Sequence, residues 1–234
     1  MAEHATLNFN RPLPVFPLNA CVLLPHATVP LHIFEDRYKH MTRDALDSHG
    51  VIAMATYAGQ AHSCAEPAEE SVFGPPIREH VCVGYILRHQ QLEEGRYNIL
   101  LQGVCRARIR KEVYHEPYRL AFLEPTEADP PMEIDISEQR SRLEALLGDD
   151  RLKQLASINS INNWLSREIP TPALVDLATL TVCCDLDQRY AMLAEPDVTR
   201  RLTWLDHHLR QTRHTLELAA RHESGPTDEG CHIN

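Results

Sequence analysis

The sequence predicts an α+β chain in which a small barrel or curled sheet of short strands, carrying one helix, precedes a set of helices. Two observations predict it. Up to about residue 125, short β-prone runs alternate with turn residues. Beyond that point, apolar residues recur at helical spacing almost to the end. The expected boundaries are 11–125 for the β domain, 126–222 for the helical region and 223–234 for a disordered tail.

Each element has its own reason. Leu13–Leu18 is an extended run broken by Pro14 and Pro17. Proline cannot donate to a ladder, so this strand is expected at an edge or with a bulge. Val29–Ile33, with Pro30 inside it, is a second extended run. Phe34, Tyr38, Met41 and Ala45 follow at i, i+4, i+7 and i+11, one face of a helix, with Gly50 just past its end as a C-terminal cap. Val51–Tyr57 is an apolar strand, and Ala58–Pro76, rich in Gly, Pro and Glu, is expected to be a long mobile loop.

The strongest strand pattern is His80–His89, with Val81, Val83, Tyr85 and Leu87 at period two. Glu93-Glu94-Gly95 makes a turn, Arg96–Leu101 returns, and Gly103 is expected to bend the chain before Val104–Val113. In that last run Arg106, Arg108 and Arg110 share one face. Tyr118–Leu123 closes the set, and Thr126–Glu133 reads as a linker. Helices are expected over Ile136–Leu147, Asp150–Ile169, Pro172 to about Cys184, Asp187–Glu195, and from an N-cap at Asp197 to about His222. Val198, Leu202, Leu205, Leu209 and Leu216 form one stripe on the last.

Composition excludes several classes. A 234-residue chain with 43% hydrophobic and 24% charged residues can bury a core, so disorder of the whole is not expected. A net charge of -10 argues against broad attraction to nucleic acid or anionic lipid. Met1–Asn10 is polar, without the basic stretch and apolar run of a signal peptide, and no apolar run reaches the roughly 20 residues that span a bilayer. The seven cysteines are odd in number and follow no secretion signal, so free thiols and a cytoplasmic location are expected.

The search for catalytic motifs finds none. A phosphate loop of the G-x-x-x-x-G-K type, a G-x-G-x-x-G dinucleotide turn and a G-x-S-x-G elbow are all absent. Among fourteen histidines, His62-x-Cys64, His80-x-Cys82 and Cys231-His232 are short pairs of ligand-type residues, but no C-x-x-C or H-E-x-x-H places two ligands on one ion. No metal or cofactor is expected. Cys183-Cys184-Asp185 reads as a buried helix end rather than a reactive thiol. Arg106, Arg108, Arg110 and Lys111 form one basic cluster, either a phosphate or acidic-peptide contact or the solvated face of a strand paired with glutamates. Phe73 stands in the long loop, where an apolar residue is a candidate for partner contact.

Three blocks carry a family resemblance. Leu13-Pro14-Val15-Phe16-Pro17-Leu18, Leu24-Pro25 and Pro30-Leu31-His32-Ile33-Phe34-Glu35-x-Arg37-Tyr38 resemble the start of the amino-terminal domain of Lon proteases. Val83-Gly84-Tyr85-Ile86 and the run from Gly95 to Ile109 look like its later strands. Asp187-Gln188-Arg189, Leu193-Ala194-Glu195 and Asp197-Val198 with Arg201-Leu202 are similar to its helical part. The resemblance implies a PUA-like β barrel followed by a helical bundle, and recognition of substrate proteins ahead of an ATPase and a protease. The chain ends where the ATPase would begin and has no serine–lysine protease domain, so proteolysis is not carried over.

The expected function is therefore a non-catalytic module that binds protein or unfolded polypeptide, with extended segments held by backbone pairing and apolar contacts. Nucleic acid and membrane are not expected partners. An RNA-binding PUA-like module and a hydrolase with a spatially assembled site are the alternatives. The candidate contact residues are Phe34, Arg37, Tyr57, Phe73, Arg78, Arg106 and Arg108.

Overall fold

The computed structural model describes residues 7–59, 74–129, 131–154 and 169–223. They fall into two compact units, one drawn from Met1–Pro130 and Cys183–Val198, the other from Pro131–Val182 and Thr199–Asn234. The α+β class holds, with strands first and helices after.

The first unit contains β1 (Leu13–Leu18), β2 (Thr28–Ile33), α1 (Asp36–Leu46), β3 (Val51–Thr56), β4 (His80–Gln91), β5 (Tyr97–Val113) and β6 (Arg119–Pro125). The strand order is β2-β5-β4-β3-β1-β6, and a further β5–β6 pairing closes the sheet on itself. Only β1 and β3 run parallel; every other pair is antiparallel. Closure is possible because β5 is long. Its residues 97–102 ladder with β2, residues 107–113 ladder with β6, and Ala107 and Arg108 pair with β4 and β6 at once.

The expected break at Gly103 does not occur; one strand runs through it. Gly103 N–H donates to the Ala27 carbonyl at 2.8 Å and its own carbonyl accepts from His26 N–H at 2.9 Å. A Cβ there would lie 2.2 Å from the Leu24 carbonyl oxygen. Glycine thus lets the turn before β2 lie directly on the strand, a close approach rather than a bend.

The barrel interior is filled by Val15, Ala53, Ala55, Val81, Val83, Ala107, Ala121 and Leu123. Small and β-branched residues suit a barrel this narrow, whose lumen has room only for side chains. Every residue of β3 is buried, which explains its unbroken apolar run. β1 is interior in the strand order, contrary to the expectation of an edge. Its prolines are tolerated because each is paired on one flank only, Pro14 opposite Leu120 of β6 and Pro17 opposite Ala55 of β3, while Val15 between them pairs on both. β2, which carries Pro30, is the true edge and pairs with β5 alone. On α1, Tyr38, Met41 and Ala45 are buried as their spacing predicts. Gly50, at φ +68°, donates its N–H to the Ala45 carbonyl at 2.7 Å and caps the helix region. Phe34 precedes the helix and is 62% exposed, so it does not share the buried face.

Also in the first unit is α4 (Leu186–Ala194). The sequence reading groups this segment with the helical region. The Asp185 carboxylate caps it by accepting from Gln188 N–H at 2.7 Å.

The second unit contains α2 (Ser137–Leu147), α3 (Thr171–Val182) and all but the first residue of α5 (Val198–Glu223). Leu143, Leu146, Leu147, Leu174, Val175, Leu202, Leu205 and Leu209 are buried. Of the expected Asp150–Ile169 helix, Leu152–Gln154 forms a 3-10 turn, and 155–168 lie outside the described residues. So do 224–234, most of the expected tail. Polar connections tie this unit. Arg140 donates to the Ile169 carbonyl at 2.8 Å, and Glu133 accepts from Thr171 N–H at 2.8 Å and from its hydroxyl at 2.5 Å. Arg201 and Asp176 form an ion pair at 3.8 Å with both side chains buried. Separating such a pair by substituting one partner strands a charge and costs about 3–5 kcal/mol.

Two outcomes follow. Gly103→Ala forces β5 away from Leu24, and urea denaturation should register a loss of about 3 kcal/mol, the upper end for overpacking. Burial works to raise the Glu133 carboxyl, but the Thr171 donors and Arg140 outweigh it and hold it below its ordinary value of 4.5. A depressed carboxyl contributes stability above its unfolded value and loses it as the pH falls through the folded one. Exchange of the Thr171 amide, corrected for intrinsic rate, should therefore accelerate in acid, and Glu133→Gln should flatten that dependence.

Candidate functional site

Two cavities of the first unit meet at Tyr57. One, of about 200 Å³, is lined by Pro17, Arg37, Tyr38, Tyr57, Gly74, Pro75, Val113, Tyr114, His115, Glu116, Pro117, Tyr118 and Arg119. The other, of about 210 Å³, is lined by Asn19, Tyr57, Gly59, Arg78, Asp185, Leu186 and Asp187. Tyr57 stands just beyond β3 and forms an isolated bridge with Ile77. Ala58 N–H donates to the Pro76 carbonyl and Arg78 N–H to the Thr56 carbonyl, each at 2.8 Å. These bonds pin both ends of the 58–76 segment beside the barrel; its residues 60–73 lie outside the described residues.

The first cavity holds four of the seven tyrosines. Tyr38 is buried, packs edge-on against Phe16 at 4.5 Å between centroids, and is hydrogen-bonded to Tyr57. Tyr118 donates its hydroxyl to Asp44 at 2.7 Å, and Tyr114 donates to Glu116 at 2.8 Å. Burial first, then the bond to Tyr57, pushes the Tyr38 phenol well above its ordinary value. Burial and the bond to Asp44 do the same for Tyr118, and the Glu116 carboxylate raises Tyr114. These three hydroxyls therefore stay neutral around pH 7. Neutral phenols present an apolar ring with a polar tip, the chemistry of adaptable polypeptide contacts.

The arginines around this groove are already engaged. Arg37 pairs with Glu35 at 2.8 Å and lies over the Tyr38 ring at 4.5 Å. Arg78 pairs with Asp187 of α4 and lies over the Tyr190 ring at 4.6 Å. Arg119 pairs with Glu112 at 3.1 Å and donates to the Pro75 carbonyl at 2.5 Å. The Tyr190 hydroxyl accepts from His80 N–H at 3.0 Å. Arg106, also toward α4, pairs with Glu127 at 3.1 Å and donates to the Met192 carbonyl at 3.4 Å. Together these contacts fasten α4 to the barrel.

The structure thus brings Arg37 and Tyr57 to the first cavity and Tyr57 and Arg78 to the second, the two forming a groove about Tyr57. It does not bring Phe34, Arg106 or Arg108 there. Phe34 stacks on His32 at 6.0 Å between centroids. Arg106 lies on the same strand face as Arg108, as the alternation predicts, yet it is fully buried rather than solvated. Arg108 and Arg110 both approach Glu124, at 3.5 and 3.7 Å, the solvated pairing that the sequence offers as one reading. Phe73 lies outside the described residues. The sequence reading missed Tyr114, Glu116, Tyr118 and Arg119. Their signal was a dense Tyr114-His115-Glu116-Pro117-Tyr118-Arg119 run between two strands, where a plain connection needs no aromatics. Burial raises the Cys183 thiol, which fits a helix end rather than a nucleophile. Among the described residues no group of three or more His, Cys, Asp or Glu side chains could hold a metal ion, and no helix is long and apolar enough to cross a membrane.

This architecture is the fold of Lon amino-terminal domains. It is similar to the amino-terminal domain of Mycobacterium avium complex Lon protease, with a TM-score of 0.60 and 21% identity, covering 86% of this chain and 98% of that one. It is similar also to a Lon N-terminal domain protein from Xanthomonas campestris, with a TM-score of 0.54 and 20% identity over 83% and 96% of the two chains. The pattern of the ATP-dependent protease La (LON) substrate-binding domain matches residues 12–211, and the chain belongs to that family. Among its relatives are Lon proteases of Geobacter metallireducens, 23% identical over 97% of this chain, and of Trichlorobacter lovleyi, 25% identical over 94%. The chain spans about a quarter of the length of these relatives, 27% in each case.

Tyr190→Phe leaves His80 N–H without its acceptor. It should cost about 1 kcal/mol, and hydrogen exchange should speed up at His80 and along α4 while β3 stays protected.

Proposed function

We propose that this chain is a non-catalytic module that holds extended or unfolded segments of other proteins in the groove at Tyr57. The observation that carries this reading is the gathering of four neutral or partly buried tyrosines, with prolines and hydrogen-bonding groups, around one open cavity next to a second. Aromatic walls with a few convergent polar groups bind peptides at low entropic cost. Membership of the LON substrate-binding domain family supports protein as the substrate class. On this reading any unfolding or cleavage of the bound protein is done by an ATPase and protease outside these residues. The five described cysteines are free, which supports a reducing compartment such as the cytoplasm.

The basic cluster lends RNA binding little support, because Arg106 is buried and Arg108 and Arg110 share the Glu124 carboxylate. The open edge of β2 is a second place where an extended segment could pair, but Pro30 interrupts its donors.

Hydrogen exchange with and without a reduced, alkylated unfolded protein checks the reading. Protection is expected at Tyr57–Ala58 and along Val113–Arg119. Tyr57→Ala should weaken binding about tenfold, as loss of a central aromatic contact does. Binding with protection elsewhere and full affinity in Tyr57→Ala would sink the assignment.

A further inference from the structure

The groove repeats one local arrangement. In the first instance Arg37 lies between the Glu35 carboxylate and the face of Tyr38. In the second, Arg78 lies between Asp187 and the face of Tyr190. A guanidinium held by a carboxylate on one side and a phenol ring on the other gains both ion pairing and cation–π attraction. The third instance is Tyr114 with Glu116, joined by the tyrosine hydroxyl at 2.8 Å. Tyr114 is 62% exposed, both residues line the tyrosine-rich cavity, and among the described residues no cation pairs with Glu116.

Charge around the groove points the same way. Arg37, Arg78 and Arg119 are each matched by a carboxylate, Glu35, Asp187 and Glu112. Glu116 and Asp185 remain as lining carboxylates beyond those pairs. Asp185 caps α4 and Glu116 accepts from a phenol, and neither has a cationic partner among the described residues. The chain as a whole carries -10.

We infer that the segment bound in this groove presents a basic residue, arginine ahead of lysine, to the Tyr114–Glu116 pair. The inference rests on the reading that the groove binds polypeptide, and it names the charge of what is bound. An acidic or phosphorylated segment would meet these carboxylates, and each arginine lining the groove among the described residues is already paired with a carboxylate. Arginine ranks first because its planar fork can stack on the ring and pair with the carboxylate together.

Fluorescence anisotropy tests this with short labelled peptides of alternating Val and Thr that differ only at one central position, Arg, Lys, Gln or Glu. Affinity should fall in that order, and the Arg peptide should lose its advantage as salt rises. Glu116→Gln keeps an acceptor for the Tyr114 hydroxyl while removing the charge. It should weaken the Arg peptide about three- to fivefold, the size of a part-exposed ion pair, and leave the Gln peptide unchanged. Glu116→Lys should reverse the preference toward the Glu peptide, which a merely structural role would not do. Equal binding of the Arg and Gln peptides, with affinity still lost in Tyr57→Ala, overturns this inference and leaves polypeptide recognition standing. Binding of none of the peptides, with no protection by unfolded protein, overturns both.

Discussion

Barrel closure depends on one strand serving three ladders. β5 is laddered to β4 along residues 97–108, flanked by β2 over its first half and by β6 over its second. Two short strands could supply the same hydrogen bonds, but a break between them would free the hinge at Gly103 and leave β2 and β6 on separate pieces. Continuity requires the Leu24–Ala27 turn to pass close over the strand, and only the missing side chain of Gly103 allows that. The narrow alanine- and valine-filled interior then follows, since a closed sheet of few strands has little lumen to fill.

Once the barrel is closed, its outer face near β4 and β5 must be covered or solvated, and the arginines record which. Arg108 and Arg110 stay at the surface, where pairing with Glu124 adds little stability. Arg106, two residues earlier on the same face, is enclosed by Glu127 and the end of α4. A guanidinium in that position needs its charge and donors matched, so burying it also selects where α4 can sit. With Arg78 over Tyr190 and Tyr190 under His80, that helix becomes a wall of the second cavity rather than a separate element.

The sequence made period and polarity legible, and both survive in the structure. The inward residues of α1, the buried run of β3, the Gly50 cap and the apolar stripe of the last helix follow from spacing alone. In β4 the period-two face holds only at Val81 and Val83; past the register shift at Val83/Gly84, Tyr85 and Leu87 are exposed and Ile86 is buried instead. What spacing cannot express is which face of a strand another element covers. Arg106 and Arg108 are equivalent by period, and only α4, some eighty residues later in the chain, separates them. The same limit hid the groove. Arg37, Tyr57 and Arg78 were nameable from the chain, but Tyr114 and Tyr118 join them only when β5 and β6 close against β1. A strand's prolines are a further case. Pro14 and Pro17 are compatible with an interior strand because its two flanks are paired over different halves, a detail of stagger rather than of composition.

A groove built this way has consequences for selectivity. Its tyrosines contribute area and hydrogen-bonding tips that tolerate many sequences, since backbone carbonyls and apolar side chains are common to all polypeptides. Discrimination must come from groups that differ between segments, and charge is the strongest such difference in a partly open site. Arginines that pair within the chain cannot read a partner without first giving up a carboxylate, so they act as scaffold. Carboxylates without such a pair can read directly. On the reading proposed above, recognition in this groove is broad in shape and narrow in sign, because its tyrosines contribute shape and the lining charges without an ion-pair partner among the described residues, Glu116 and Asp185, are negative.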